Sequence, residues 1–286
     1  MPNLKAIRRR IGSVRSTQKI TRAMKMVAAA RLRKAQSAAE SFRPYADVLA
    51  SMLARVASQG SEQDHPLLER REGPNRLLLV ISSDRGLCGG FNANLCREVQ
   101  SQLSGEGHPS LALIGRKAGD YFERRGANVW HKFRDVYEDL SYDKAAAVAR
   151  DLAAQYAAGQ VDRIDLAYNE FVSMMSQKPT VRQLLPVVLP QAESGNEAVV
   201  DYLFEPGRDE ILSRLLPRYI EVQVFRALLE SIAAEQAARM AAMEGATNNA
   251  QEMLDHLTLV YNRARQSAIT RELIEIVGGA EALHQA

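Results

Sequence analysis

The sequence predicts an α+β protein: a long antiparallel two-helix coiled coil formed by the N- and C-terminal helices, plus a central Rossmann-like α/β domain. Three observations predict it. Residues 209–283 carry a narrow apolar seam of helical period, with no proline after Pro217. Residues 3–57 open with the same spacing. Between them, residues 76–205 alternate strand-like and helix-like patterns. The boundaries expected from these patterns are an N-terminal coiled-coil helix over 1–58, a linker over 59–75, the α/β domain over 76–205 and a C-terminal coiled-coil helix over 209–286.

The first helix is set by Leu4, Ile7, Ile11 and Val14, spaced three and four apart. The same face continues through Thr17, Thr21, Met24 and Ala28, small or unbranched residues that let a partner helix come close. The stretch that follows, SQGSEQDHPLLERREGPN, is polar and holds two Gly and two Pro, which is linker composition. The middle region then offers apolar strand candidates at 76–82, 110–115, 128–132, 163–169, 181–188 and 199–204, with helical stretches at 92–104, 116–125 and 142–158. Strands separated by helices argue a sheet that is largely parallel at first.

The last segment is the most informative. Steps of three and four from Leu229 reach Ala233, Gln236, Met240, Met243, Thr247, Ala250, Leu254, Leu257, Tyr261, Ala264 and Ala268, and only Gln236 and Thr247 are plainly polar. A seam that narrow argues a coiled coil. Pro217 either kinks this helix near its base or marks its first turn. Because a globular domain separates the two helices in sequence, pairing along their length must be antiparallel. Charge favours that pairing: residues 1–45 hold twelve Lys or Arg against Glu40 alone, and residues 209–286 hold seven Arg against eleven acids. The second helix is longer by roughly 20 residues, which leaves about 30 Å of single helix at its end. There Ile269, Leu273, Ile274, Ile276, Val277 and Leu283 spread around much of the helix. A helix apolar on most sides needs burial on most sides, so this tip is expected to sit in a sleeve made by other chains.

Several functions are disfavoured. No apolar run reaches membrane-spanning length, and the start MPNLKAIRRRIG has no signal-peptide core, so membrane association is expected only through partners. If Cys88 and Cys96 share one helix they lie about 12 Å apart, too far for a disulfide, and free buried thiols are expected. The five histidines (65, 108, 131, 256, 284) show no metal-ligand spacing. The turn SSDRGLCGGFN (82–92) follows a strand and opens a helix, as a phosphate loop does, but it lacks Gly-Lys-Ser/Thr, and Gly86, Gly89 and Gly90 do not fit G-x-G-x-x-G. A structural turn is the better reading. The basic first helix admits nucleic-acid binding, yet its cations interleave with an apolar seam and no aromatic precedes Phe42.

Longer stretches identify a family. The opening NLKAIRRRIGSVRSTQKITRAMKMVAAARLRKAQ resembles the N-terminal helix of the γ subunits of F-type ATP synthases, and DRGLCGGFN matches that family's central turn. The family signature Ile-Thr-x-Glu-x-x-Glu followed by Gly-Ala stands here as Ile269, Thr270, Glu272, Glu275, Gly279 and Ala280. The resemblance implies a non-catalytic central-stalk rotor with no cofactor, metal or catalytic residues. Its implied partners are the α and β subunits, the ε subunit, the c-ring and, in the assembled complex, δ. It also implies that Met24, Lys25 and Arg31 on the first helix contact the α/β ring, as do Arg265, Gln266, Thr270 and Glu272 on the second, with Met24 near Arg265 and Gln266. Ile274, Ile276 and Val277 correspond to the hydrophobic bearing at the top of the ring. The cysteine pair inserted in the chloroplast form has no counterpart here. The family opening begins at residue 3 without a presequence, which implies a bacterial chain peripheral to the cytoplasmic face of the inner membrane.

Overall fold

A computed structural model describes residues 4–58, 65–103, 109–137, 140–188 and 207–284. Ten elements follow in order: α1 (Leu4–Ser58), β1 (Arg76–Ile81), α2 (Phe91–Leu103), β2 (Ser110–Ile114), α3 (Arg116–Glu123), β3 (Val129–Phe133), α4 (Tyr142–Ala157), β4 (Arg163–Phe171), β5 (Gln177–Leu185) and α5 (Arg208–His284). The chain divides into two compact units. One comprises the outer ends of the long helices, α1 up to Val27 and α5 from Met240. The other spans Ala28–Arg239.

In the larger unit the sheet order is β3-β2-β1-β4-β5. The first four strands pair in parallel, and β5 closes the far edge antiparallel to β4. The central strand RLLLVI explains the layering. Leu77 to Ile81 are all buried, as expected of a strand covered on both faces. With a side-chain period of two, Leu77, Leu79 and Ile81 face one layer and Leu78 and Val80 the other. The first layer takes Leu53 of α1, Leu152 and Tyr156 of α4, and Leu216, Ile220, Val224 and Leu228 of α5. The second takes Leu95 and Val99 of α2 and Ala118 and Phe122 of α3. The lower stretches of both long helices are therefore part of the domain core, and their packing runs antiparallel: Leu32 and Ala35 meet Ala237 and Ala233, while Ala46 and Leu49 meet Val222.

Three expectations change. The segment read as a linker is packed where it is described. Leu67 and Leu68 are buried in the first layer, the Tyr156 hydroxyl donates to the Glu69 carbonyl, and Arg71 Nη1 donates to the Tyr156 carbonyl at 2.6 Å. Its polar composition concealed a strap with two leucines at its centre. Cys88 and Cys96 do not share a helix: Cys88 lies in the turn and Cys96 in α2. Both are nonetheless free and buried. Pro217 lies well inside α5, which begins at Arg208, so it does not mark the first turn. The strand candidate at 199–204 lies outside the described residues, as does the side chain of Leu283.

Candidate functional site

In the unit formed by the helix ends, three contacts fix the pairing. Gln18 Nε2 donates to Gln251 Oε1 at 2.8 Å, the Thr21 and Thr247 hydroxyls meet at 2.8 Å, and Lys25 Nζ lies 2.6 Å from Glu244 Oε1. From Gln18 to Lys25 the chain advances one heptad, and the partners retreat one heptad from Gln251 to Glu244. That is an antiparallel coiled-coil register. On the α5 side Met243, Ala250 and Leu254 are buried, and Thr247, Leu257, Tyr261 and Ala264 half-buried, as the seam requires. On the α1 side the seam passes through Gln18 rather than Thr17. Thr17 is exposed and turns its hydroxyl back to the Ser13 carbonyl at 3.2 Å. The heptad step from Val14 is four residues, not three.

The contact residues expected from the resemblance fall into two groups. Met24 is half-buried and bracketed by the Thr21–Thr247 and Lys25–Glu244 contacts, and Arg31 is exposed on the stretch of α1 that belongs to the larger unit. Arg265, Gln266, Thr270 and Glu272 are exposed. Met24 is not beside Arg265 and Gln266. Its neighbour Lys25 faces Glu244, and Arg265 stands 21 residues further along α5, about 30 Å at 1.5 Å per residue. The antiparallel register forbids that proximity, because residue numbers that rise along α1 must fall along α5.

Continued to its start, the same register sets Leu4 opposite residue 265, so α5 runs on beyond the described part of α1. The seam ends there: Ala264 is half-buried and Ala268 exposed. Past that point Ile269 is 49%, Leu273 56%, Ile274 66%, Ile276 63% and Val277 62% exposed. Five large apolar side chains on about two and a half turns of bare helix form a surface that water does not favour.

The glycine-rich turn belongs to the larger unit and is filled by its own side chains. The Ser83 amide donates to Asn92 Oδ1 at 3.1 Å. Asn92 Nδ2 donates to Ser83 Oγ at 2.8 Å and to Cys88 Sγ at 3.2 Å. Cys88 and Phe91 pack on Ala234 and Ala238 of α5. Below them Arg239 Nη2 donates to Glu235 Oε1 at 2.6 Å and to the Gly86 carbonyl at 3.3 Å. Burial pushes the Glu235 carboxyl above its ordinary range, against the pull of Arg239. The turn is thus a bracket that holds the sheet to α5, a role that sequence spacing did not reveal. The signal present was the Glu235/Arg239 pair at i, i+4 within an otherwise alanine-rich stretch. At the end of β2, Gly115 has φ +89° and an added Cβ would lie 2.2 Å from the Ser82 carbonyl oxygen, so the close approach of β2 to this turn requires glycine. Among the described residues no helix is long and apolar enough to cross a membrane.

Comparison with known proteins gives this geometry its family. A model of the ATP synthase family matches residues 3–283. The ATP synthase gamma chain of Anaeromyxobacter sp. strain Fw109-5 is 51% identical over 290 residues, covering 99% of this chain and all of that one. The chain belongs to the ATP synthase gamma chain family. The gamma chain of Heliobacterium modesticaldum is 47% identical over 289 residues, again with 99% of this chain and all of that one covered. Among solved structures, the Tetrahymena thermophila mitochondrial ATP synthase central stalk and c-ring contains a chain 28% identical, with a TM-score of 0.61, covering 79% of this chain and 99% of that one. A chain of the Euglena gracilis mitochondrial ATP synthase is 20% identical with a TM-score of 0.69, covering 98% of this chain and 94% of that one, and shares the fold.

Proposed function

We propose that this chain is the central-stalk rotor subunit of an F-type proton-transporting ATP synthase, coupling proton flow through a membrane c-ring to ATP synthesis at the β-subunit catalytic sites by rotation. It is non-catalytic itself. Its α/β domain stands with an ε subunit on the c-ring, its coiled coil enters the cavity of three α and three β subunits, and δ completes the assembly. It binds no nucleic acid. It is peripheral to the cytoplasmic side of a bacterial inner membrane and reaches that membrane only through the c-ring. Met24, Lys25, Arg31, Arg265, Gln266, Thr270 and Glu272 contact the ring along the shaft, and Ile274, Ile276 and Val277 run in its apolar bearing.

The mechanism follows from asymmetry. A single rod inside a threefold ring cannot touch three equivalent β subunits alike. Each β subunit therefore experiences a different interaction free energy, and that difference shifts its conformational equilibrium. Turning the rod passes each state to the next subunit. The observation that carries this reading is the bare apolar tip: Ile274 and Ile276 are more than 60% exposed on a helix that has outrun its partner. Ile274→Asp/Ile276→Asp is expected to abolish or strongly weaken reconstitution with an α/β ring, while the circular dichroism and thermal midpoint of the isolated chain stay unchanged. Full assembly by the double variant sinks the bearing assignment. Steady turnover of ATP by the isolated wild-type chain sinks the non-catalytic one.

A further inference from the structure

Within the larger unit, between α5 and the β4–β5 edge of the sheet, lies a cavity of about 240 Å³. Leu166 and Tyr168 of β4 line it from one sheet face, and Arg182 stands beside Leu166 in the β5 register. From α5 come Tyr219, Gln223 and Arg226, four and three residues apart on one helix stripe that Glu230 continues. Glu230 Oε1 accepts from Arg226 Nε at 3.1 Å. Glu230 Oε2 is buried and has no hydrogen-bond partner. A buried carboxylate oxygen without a donor is costly, and the protein's own side chains do not supply one.

Donors nearby are unused. Arg182 Nη2 donates to Glu170 Oε1 at 2.9 Å and Arg226 donates from Nε, which leaves most N–H groups of each guanidinium available. Tyr168 is 3% exposed, and among the described residues its hydroxyl makes no hydrogen bond. Burial pushes this phenol above its ordinary range; Glu230 adds to the rise, and Arg182 and Arg226 oppose it. It therefore stays protonated as an O–H donor, and all three charges reach it. We propose that this cavity is a site for free inorganic phosphate, bound as a protonated oxyanion. Arg182, Arg226 and the Tyr168 hydroxyl donate to its oxygens, and its P–OH donates to Glu230 Oε2. Net charge does not select the ligand, because Glu170 and Glu230 balance the two arginines. The pattern of donors and acceptors does. Phosphate at neutral pH keeps a P–OH, whereas sulfate only accepts and would set a bare oxygen against the Glu230 carboxylate. The volume falls short of the roughly 300 Å³ at which drug-sized sites begin, which is too little for a nucleotide. Phosphate held by Arg182 and Arg226 together ties the edge strand β5 to α5.

The test is isothermal titration of the isolated full-length chain with sodium phosphate and, at matched ionic strength, sodium sulfate, with hydrogen exchange over residues 177–185. The isolated chain suffices, so the outcome does not depend on the rotor reading. Phosphate is expected to bind in the millimolar range and sulfate about tenfold more weakly, and phosphate is expected to slow exchange along β5. Arg226→Gln, on a side chain 47% exposed, is expected to keep the fold and weaken phosphate about tenfold. Glu230→Gln is expected to abolish or reverse the preference for phosphate, since its amide can donate to sulfate. If Glu230→Gln unfolds, Tyr168→Phe decides instead: it keeps the ring and is expected to weaken phosphate about fivefold. Equal binding of sulfate and phosphate by the wild type, or phosphate binding unchanged in Arg226→Gln, overturns the site. So does the absence of both heat and any change in exchange, in which case the cavity holds water only. Arg226-dependent binding of ADP as tight as that of phosphate assigns the cavity to a larger ligand and also overturns the proposal.

Discussion

Arg239→Met tests whether the glycine-rich turn is held to α5 as the geometry indicates. The substitution keeps most of the buried stem and removes the charge. It deletes the 2.6 Å bond to Glu235 and the 3.3 Å bond to the Gly86 carbonyl. Both partners of the ion pair are nearly covered, with side-chain exposures of 10% for Arg239 and 7% for Glu235. Breaking a buried pair from one side costs about 3 kcal/mol or somewhat more, because the remaining charge is left without compensation. In urea, with a slope of about 2–3 kcal/mol per molar, that is a midpoint lower by roughly 1 M. The pH dependence is a second, independent reading. The Glu235 carboxyl is already raised by burial, and Arg239 is the main group that opposes the rise. Without it the folded-state value climbs further above the unfolded one. The folded state then binds the proton more readily than the unfolded state, so stability falls as pH rises through the folded value and returns as pH falls toward the unfolded one. The deficit of Arg239→Met should therefore be largest near pH 8 and shrink toward pH 5. Glu235→Gln/Arg239→Met should be less damaging at pH 8 than Arg239→Met alone. Urea unfolding followed by Trp130 emission, at both pH values, supplies the numbers. A loss under 1 kcal/mol, or a deficit independent of pH, refutes the bracket.

Gly115→Ala should cost on the order of 3 kcal/mol, since a Cβ 2.2 Å from the Ser82 carbonyl oxygen meets backbone and the φ of +89° is itself unfavourable to alanine; a thermal midpoint within 2 °C or so of wild type would count against this. Thr21→Val should change stability by less than about 1 kcal/mol in either direction, because Thr247 keeps its 2.7 Å bond to the Met243 carbonyl and no buried donor is stranded; a larger loss in thermal unfolding would mean the hydroxyl pair organises the coiled coil. The thiols should react slowly with an aromatic disulfide reagent at pH 8. Burial raises the Cys88 thiol and pushes Cys96 up to about 11, leaving on the order of one Cys96 thiolate in a thousand chains, and both should react at least tenfold faster after denaturation.

The parts of this fold legible in the sequence are those where one period repeats for many turns. The α5 seam from Leu229 to Ala264 could be read because each three- or four-residue step adds the same instruction, and the length mismatch with α1 then exposed the tip. The buried run RLLLVI announced a central parallel strand for the same reason: no alternation means no wet face. What escaped depended on single contacts. The strap at 65–75 looked like a linker because two leucines in a polar stretch carry no period, and only the fold supplies the slot that buries Leu67 and Leu68. The seam slipped by one residue at Thr17 because a polar stretch gives no apolar reference, and register there is set by the Gln18–Gln251 and Thr21–Thr247 hydrogen bonds. The mistaken approach of Met24 to Arg265 has a related origin. Residues that act on one partner need not touch each other, whereas antiparallel register does fix which residues touch. A shaft can present Met24 and Arg265 about 30 Å apart to different parts of one surrounding ring. Thr21 and Ala28 are buried at the seam and let α5 come close, while Ile20, Met26 and Val27 stand exposed on the outer face of the same stretch, among cations such as Arg22 and Arg31. On the proposed rotor reading, a face that mixes exposed apolar and cationic side chains can break and remake its contacts at each step, whereas the tip, apolar on most sides, needs lasting burial.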